Sequence, residues 1–305
     1  MLDDAKLTVQ IVKNTAALQS RVRAKRFGQH FLVNPRILER IVDAAEPLQG
    51  KTIVEIGPGP GGLTREILRR RPAQVFVIEK DPRFVESLVA LDGVTVFNED
   101  ACDFDYNQLI NDNRKISETT DDFSLSQSDQ PAPANIRKQI FAAIEVMNVV
   151  DINNRLLPDI SALVHQFYPH CQGTERRRIK IISNLPYNAG TAIYVNALKH
   201  ADIIEDMTLM FQKEVAARLL GKPNTRDYGR LSVLTQYFTE ARRVMRLTPG
   251  AFYPPPKVYS DVLHFKNRTD ADPRVLDDLS AVCLEIFQHR RKKLKNRLIK
   301  NTREN

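Results

Sequence analysis

One segment restricts what this chain can fold into more than any other: "KTIVEIGPGPGGLTREILRRR", residues 51–71. It runs from a short apolar strand through a glycine-rich turn straight into a helix. The alternation continues. "QVFVIEK" (74–80) reads as a second apolar strand, "DPRFVESLVAL" (81–91) as a helix with Pro82 near its start, and "VTVFNEDA" (94–101) as a third strand. Upstream, Pro35 suits the first turn of a helix with the apolar stripe Ile37, Leu38, Ile41 and Val42, ending near Pro47. Strands that alternate with helices predict a parallel sheet covered on both faces, an α/β fold.

The pattern then breaks. Residues 116–135, "ISETTDDFSLSQSDQPAPAN", are acidic, rich in Ser, Thr and Pro, and contain no Lys or Arg, the composition of a loop or disordered segment. "IRKQIFAAIEVMNVV" and "LLPDISALVHQFY" follow as candidate short amphipathic helices, and about 105–178 reads as an insertion without chemistry. The α/β pattern resumes with the strand "IKIISN", a helix from about Thr191, the strand "MTLMFQ" and the helix "KEVAARLLG". "RLSVLTQYF" is expected to be helical, and "RRVMRLT" and "SDVLHFK" to be strands. The loop between those two strands, "PGAFYPPPKV", is stiffened by its prolines. The expected division is a sheet domain over 1–268 and a small C-terminal domain over 269–305.

Composition excludes several classes. No apolar run approaches the roughly 20 residues of a membrane helix. The N-terminal "MLDDAKLTVQ" carries acids where a secretory signal carries bases, so a cytoplasmic protein without membrane contact is expected. Cys102, Cys171 and Cys283 are odd in number and scattered, which argues against a disulfide framework, and His165, His170 and Cys171 lack a second ligand pair at finger-like spacing, so no metal is expected. The net charge of +8 is concentrated. Arg21, Arg23, Lys25 and Arg26 form one cluster; Arg290, Arg291, Lys292, Lys293, Lys295, Arg297, Lys300 and Arg303 form another, set against the single acid Glu304. A solvated helix face is the ordinary explanation of such runs, but two dense clusters tilt the reading toward a phosphate backbone as partner.

The glycine turn and two acids suggest a cofactor. Gly57, Gly59 and Gly62 satisfy G-x-G-x-x-G and let a ligand approach the backbone closely. Glu79, at the end of the second strand, can accept hydrogen bonds from ribose hydroxyls, and Asp100, at the end of the third, from the exocyclic amine of adenine. An adenosine-type cofactor fits; these residues alone leave open whether it is a dinucleotide or S-adenosylmethionine.

"SNLPYN" (183–188) ends a later strand and should face the same crevice. The exocyclic amine of adenine is a poor nucleophile because its lone pair is delocalised into the ring. The Asn184 side-chain oxygen and the Leu185 carbonyl could accept hydrogen bonds from that amine and return electron density to it. Pro186 would fix these acceptors in advance, and Tyr187 offers a flat face for the base. A sulfonium methyl donor is already activated, so positioning dominates and no strong base is needed.

With these motifs the chain resembles the KsgA family of ribosomal RNA adenine dimethyltransferases. The resemblance rests on "KRFGQHFL", "VEIGPGPGGLTREIL", "VIEKD", "EDA", "SNLPYN", "FQKEVAARL", "YGRLSVLTQY", "TPGAFYPPPKV" and "HRRKKLKNRL", in order from about residue 25 to 298. It implies a Rossmann-like class I methyltransferase sheet with S-adenosyl-L-methionine as cofactor and a small, here shortened, C-terminal helical domain that binds RNA. The implied reaction is N6,N6-dimethylation of two adjacent adenosines near the 3′ end of small-subunit (16S) ribosomal RNA during ribosome biogenesis, by a monomer acting on a pre-30S particle.

The resemblance also implies residue roles. Gln29, His30 and Leu32 close over the cofactor, and Gly57 and Gly59 lie beside it. Glu79 meets its ribose, with Lys80 adjoining. Asp100 meets its adenine amine, with Ala101 adjoining. Asn184 lies between cofactor and target. Phe252 matches a position that stacks on the flipped base opposite Tyr187, so Asn184, Leu185, Pro186, Tyr187 and Phe252 form the catalytic set. Arg23, Lys25, Arg26, Arg290, Arg291, Lys292, Lys293 and Arg297 form the RNA-binding set. The rivals are a macrolide-resistance-type 23S ribosomal RNA adenine methylase, a non-catalytic RNA- or assembly-binding relative and, weakest, an NAD-linked oxidoreductase.

Overall fold

A computed structural model gives the fold; it describes residues 29–112, 138, 159–167 and 179–287. The chain groups into two compact units, one within Met1–Leu109, Arg176–Ala216 and Ala241–Asn267, the other within Ile110–Glu175, Ala217–Glu240 and Arg268–Asn305.

Among the described residues the first unit begins with the two-residue strand β1 (Phe31–Leu32) and helix α1 (Pro35–Asp43). Asn34 caps α1 by accepting from the Arg36 amide, and Pro35 occupies the first turn, where an amide would have no partner anyway. Then follow β2 (Thr52–Ile56), α2 (Gly62–Leu68), β3 (Gln74–Ile78), α3 (Pro82–Val89), β4 (Val94–Phe97) and α4 (Asn107–Asp112). Asp81 and Pro82 start α3 by the same device, Asp81 accepting from the Arg83 amide. After α5 (Ile160–Phe167), which lies in the second unit, come β5 (Ile179–Ser183), α6 (Gly190–Leu198), β6 (Ile204–Gln212), α7 (Lys213–Leu219), α8 (Arg230–Phe238), β7 (Thr239–Leu247), β8 (Phe252–Tyr253), β9 (Ser260–Asn267) and α9 (Leu276–Phe287).

The main sheet has the order β4-β3-β2-β5-β6-β9-β7. β2 pairs in parallel with β3 and β5, β3 with β4, and β5 with β6, while β9 runs antiparallel to β6. Strand order therefore reverses between β2 and β5, and a crevice at the carboxyl ends of the strands is the expected ligand site. Helices cover both faces. On one, Ile53, Val75, Val77 and Ile182 pack with Leu38 and Ile41 of α1, Leu63 and Ile67 of α2, and Phe84 and Leu88 of α3. On the other, Val54 and Phe76 of the neighbouring positions are equally buried. All five residues of β5 are buried, Lys180 among them at 1% exposure. Its Nζ donates to the Ala45 carbonyl at 2.9 Å and pairs with Asp206 Oδ2 at 2.9 Å. Burying a charge this deeply is tolerable only with such partners.

The start of the stretch read as an insertion belongs to the core: Tyr106 and Leu109 are fully buried. They close a run of edge-on rings, Phe97–Phe104 at 5.4 Å and Phe104–Tyr106 at 5.3 Å. The low-complexity residues 116–135 lie outside the described residues. In the second unit α8 packs against α5 and α9. Val233, Leu234, Tyr237 and Phe238 of α8 are buried, as are Leu279, Val282 and Ile286 of α9. The His165 ring stacks on Tyr237 at 4.4 Å. Among the described residues no helix is long and apolar enough to cross a membrane.

Candidate active site

The turn after β2 is built from residues held at positive φ: Gly57 at 62°, Gly59 at 55° and Gly61 at 76°. A side chain at Gly59 would be strained there and would also meet the Phe31 ring at 2.6 Å. Glu79, at the end of β3, braces this turn from below. Its Oε2 accepts from the Gly59 amide at 2.9 Å and its Oε1 from the Asp81 amide at 2.8 Å. One carboxylate thus fixes the glycine turn and the start of α3 together, while lone pairs on both oxygens remain for a ligand hydroxyl.

Beneath the turn lies a second acid. Glu55 is 2% exposed and its Oε2 has no hydrogen-bond partner among the described residues. Burial, with the nearby Glu79 charge adding, pushes its carboxyl from 4.5 up to about 8. Between those values the folded chain keeps a proton that the unfolded chain has released, so this contribution to stability is full below 4.5 and is lost as the pH rises through about 8. Glu55→Gln, which has no proton to lose, is expected to flatten the decline. Unfolding free energies from urea titrations at about pH 5 and pH 8 should differ by a few kcal/mol less in the variant than in the parent. An unchanged difference would show that Glu55 is ionised in the folded protein.

β5 ends at Ser183, whose Oγ donates to the Ile56 carbonyl at 2.6 Å, tying the end of β5 to the end of β2. Asn184 follows immediately. Its Nδ2 donates to the His30 carbonyl at 2.9 Å. A carbonyl can only accept, so the carboxamide orientation is determined and Oδ1 is left as an acceptor with no partner among the described residues. The Leu185 carbonyl likewise accepts no hydrogen bond among the described residues, whereas that of Pro186 is taken by the Ala189 and Gly190 amides. His30 is itself held: its Nδ1 lies 2.7 Å from the Pro254 carbonyl and must carry the proton. The Tyr187 ring lies 5.2 Å from that of His30, and its hydroxyl bonds Ser260 Oγ at 2.5 Å. Burial pushes the Tyr187 phenol above its ordinary value, so it remains protonated.

These groups line one cavity of about 520 Å³, a size suited to a cofactor-sized ligand. Of the residues singled out in the sequence, it brings together Gln29, His30, Gly57, Gly59, Glu79, Lys80, Asp100, Ala101, Asn184, Leu185, Pro186 and Tyr187. Two singled-out residues are elsewhere. Leu32 and Phe252 are 5% and 3% exposed and belong to the hydrophobic core. Phe252 does not line the cavity with Tyr187, and strand alternation accounts for its place. β1 and β8 pair antiparallel with Leu32 opposite Phe252 and Phe31 opposite Tyr253, so the first pair is buried in the core, while in the second Phe31 is only partly buried at its margin and Tyr253 is exposed. Phe31, not Leu32, reaches the cavity. The RNA-binding residues Arg23, Lys25, Arg26, Arg290, Arg291, Lys292, Lys293 and Arg297 all lie outside the described residues.

The cavity wall also includes Ile56, Ile78, Asp81, Glu99, Cys102, Asn188, Ala189 and Ile193, which sequence reasoning passed over. Asp81 could have been found from the Asp-Pro pair that starts a helix after a strand. Asp100 is ionised: Lys80 Nζ at 2.6 Å and the Cys102 amide at 3.0 Å hold its carboxyl below the usual range. Gln29 donates to Asp81 at 3.2 Å, yet its Oε1 is buried without a partner among the described residues. An orphaned acceptor, several carboxylates and the apolar surfaces of Ile56, Ile78 and Ala101 suit a ligand with hydroxyls, an amine, an aromatic base and positive charge. S-Adenosylmethionine has all of these.

Fold and cavity together define a Rossmann-like class I methyltransferase that uses S-adenosylmethionine; the antiparallel β9 beside β6 departs from the all-parallel dinucleotide-binding sheet. A family model described as ribosomal RNA adenine dimethylase matches residues 21–305, so the chain belongs to that family. The ribosomal RNA small subunit methyltransferase A of Azorhizobium caulinodans is 33% identical over 277 residues, covering 90% of this chain and 75% of the relative. A dimethyladenosine transferase from Plasmodium falciparum superposes with a TM-score of 0.56 at 21% identity, covering 88% of this chain and 74% of that one. The 23S ribosomal RNA methyltransferase ErmE superposes at 0.50 and 22% identity, covering 85% and 79%; these two likenesses show the fold alone.

Proposed function

We propose that this protein transfers methyl groups from S-adenosylmethionine to N6 of two adjacent adenosines near the 3′ end of small-subunit ribosomal RNA, acting in the cytoplasm as a monomer on pre-30S particles. The observation that carries the chemistry is the Asn184 carboxamide, whose Nδ2 is committed to the His30 carbonyl and which lines the same cavity as the glycine turn. The substrate assignment is supported by family membership and by relatives named ribosomal RNA small subunit methyltransferase A.

When bound, S-adenosylmethionine supplies an electrophilic methyl group on a sulfonium centre. Glu79 and Gly59 would hold its ribose side, Asp100 would accept from its adenine amine, and Gln29 would offer its oxygen. Asn184 Oδ1 and the Leu185 carbonyl accept the two N–H bonds of the target amine, which localises the nitrogen lone pair and aims it. These acceptors are in place before substrate arrives, so little reorganisation is required. After the first transfer one N–H remains, and one acceptor suffices to orient the second. Tyr187 supplies a stacking face; Pro186 stiffens the turn. The unit containing 269–305 is assigned to RNA contact through its basic residues.

The test is incubation with labelled S-adenosylmethionine and, in parallel, under-methylated small subunits and large-subunit RNA, then mapping of the label. The expected product is dimethyladenosine at two adjacent positions near the 3′ end. Label in large-subunit RNA instead would establish the 23S-type reading, and no label in either would support the non-catalytic one.

A further inference from the structure

Among the described residues the exposed large apolar side chains are Val89, Tyr253, Val258, Tyr259 and Leu284. Single exposed residues of this kind need no explanation. Three of these five, however, fall within one short stretch, 253–259, made of the last residue of β8 and the loop that leads to β9, where Tyr253 is 39% and Tyr259 48% exposed. That loop is fastened to the cavity wall at both ends. The Pro254 carbonyl, next to Tyr253, accepts from His30 Nδ1 at 2.7 Å, and Ser260, next to Tyr259, bonds the Tyr187 hydroxyl at 2.5 Å. Two exposed rings therefore stand one residue away from direct contacts to cavity-lining residues.

Charge identifies the occupant. The segment 249–259 contains Lys257, which is exposed, and no acid. β7 leads into it with exposed Arg242, Arg243 and Arg246, and Asp261 pairs with the last two at 3.5 and 2.7 Å without cancelling their combined charge. Aromatic faces among cations suit single-stranded RNA, whose bases stack and whose phosphates are anionic. Pro254, Pro255 and Pro256 each fix φ, so the rings are held in place before binding and less ordering is required.

We propose that Tyr253 and Tyr259 are stacking platforms for the unpaired nucleotides that flank the target adenosine, with Lys257 on the intervening phosphate. This deepens the function proposed above and rests on it. Removing an adenosine from its stack leaves its neighbours with exposed faces, and the two rings supply replacement partners where that occurs. They are positioning residues and do not touch the reacting nitrogen.

The test compares Tyr253→Ala/Tyr259→Ala with Tyr253→Phe/Tyr259→Phe. Anisotropy of a short fluorescein-labelled single-stranded oligoadenylate is expected to show binding weakened about tenfold or more in the alanine variant and unchanged in the phenylalanine variant. KM for under-methylated small subunits should rise by a comparable factor, while kcat and S-adenosylmethionine affinity stay within about twofold, the pattern of lost uniform binding. Unchanged oligoadenylate affinity and KM in the alanine variant overturn the proposal. So does a phenylalanine variant as weak as the alanine one, which would assign the effect to the hydroxyls. An effect on intact subunits but not on oligoadenylate also overturns it, placing a protein on the loop. A parent protein that binds oligoadenylate through these rings yet transfers no methyl group supports the platforms and overturns the enzymatic reading instead.

Discussion

Asn184→Ala should lower kcat for methyl transfer by roughly 10²–10³-fold or more, the range seen when one preorganised polar contact to a reacting group is removed. S-Adenosylmethionine affinity should change by no more than a few-fold, because the glycine turn, Glu79 and Asp100 are untouched. The expectation follows from the orientation of the carboxamide. Nδ2 is committed to the His30 carbonyl, so Oδ1 is the atom available to the target amine. Asn184→Asp sharpens the test. An ionised carboxylate has no hydrogen to give the His30 carbonyl, and two acceptors facing each other repel, so the side chain should turn and activity should fall although an acceptor is still present. Single-turnover transfer of labelled methyl, with calorimetric titration of the cofactor, separates the two effects. Turnover of Asn184→Ala within about tenfold of the parent would remove this residue from the chemistry.

How much of this was legible in the sequence differs from one element to the next. The strands and helices that build the site are local features. Apolar strands, the Asn34-Pro35 and Asp81-Pro82 helix starts, and the glycine turn can each be read from a few consecutive residues, and each stands where the residues place it. Most singled-out cavity residues follow from those elements, because the ends of parallel strands converge by topology alone. Pairings between distant segments are another matter. The side to which Phe252 points depends on its register with Leu32, more than two hundred residues earlier, and a one-residue difference in register exchanges core for cavity. Lys180 reads as a strand residue, but only the register of β5 with β6 sets it opposite Asp206 and makes its burial possible. The double service of Glu79 is hidden for the same reason. A carboxylate at a strand end suggests ribose, and nothing in the sequence shows that both its oxygens already accept from backbone amides.

That double service makes Glu79 the residue whose loss should most damage cofactor binding. Glu79→Ala leaves the Gly59 and Asp81 amides without their acceptor in a buried setting, at about 1–3 kcal/mol for each orphaned group. The glycine turn then loses the brace that fixes its shape. Affinity for S-adenosylmethionine is expected to fall by roughly a hundredfold, combining the distorted turn with the missing ribose acceptor. Glu79→Gln separates charge from geometry. The side chain keeps its size, but an amide has one acceptor oxygen, so either Gly59 or Asp81 must face an NH₂ group, donor against donor. If bracing dominates, Gln should be nearly as harmful as Ala to cofactor affinity and to the urea midpoint. If Glu79 served only as a ribose acceptor, Gln would retain most of the affinity and the unfolding midpoint would not move. Titration of S-adenosylmethionine into both variants, with urea unfolding of each in the absence of ligand, decides between a strut that also binds and a binding residue alone.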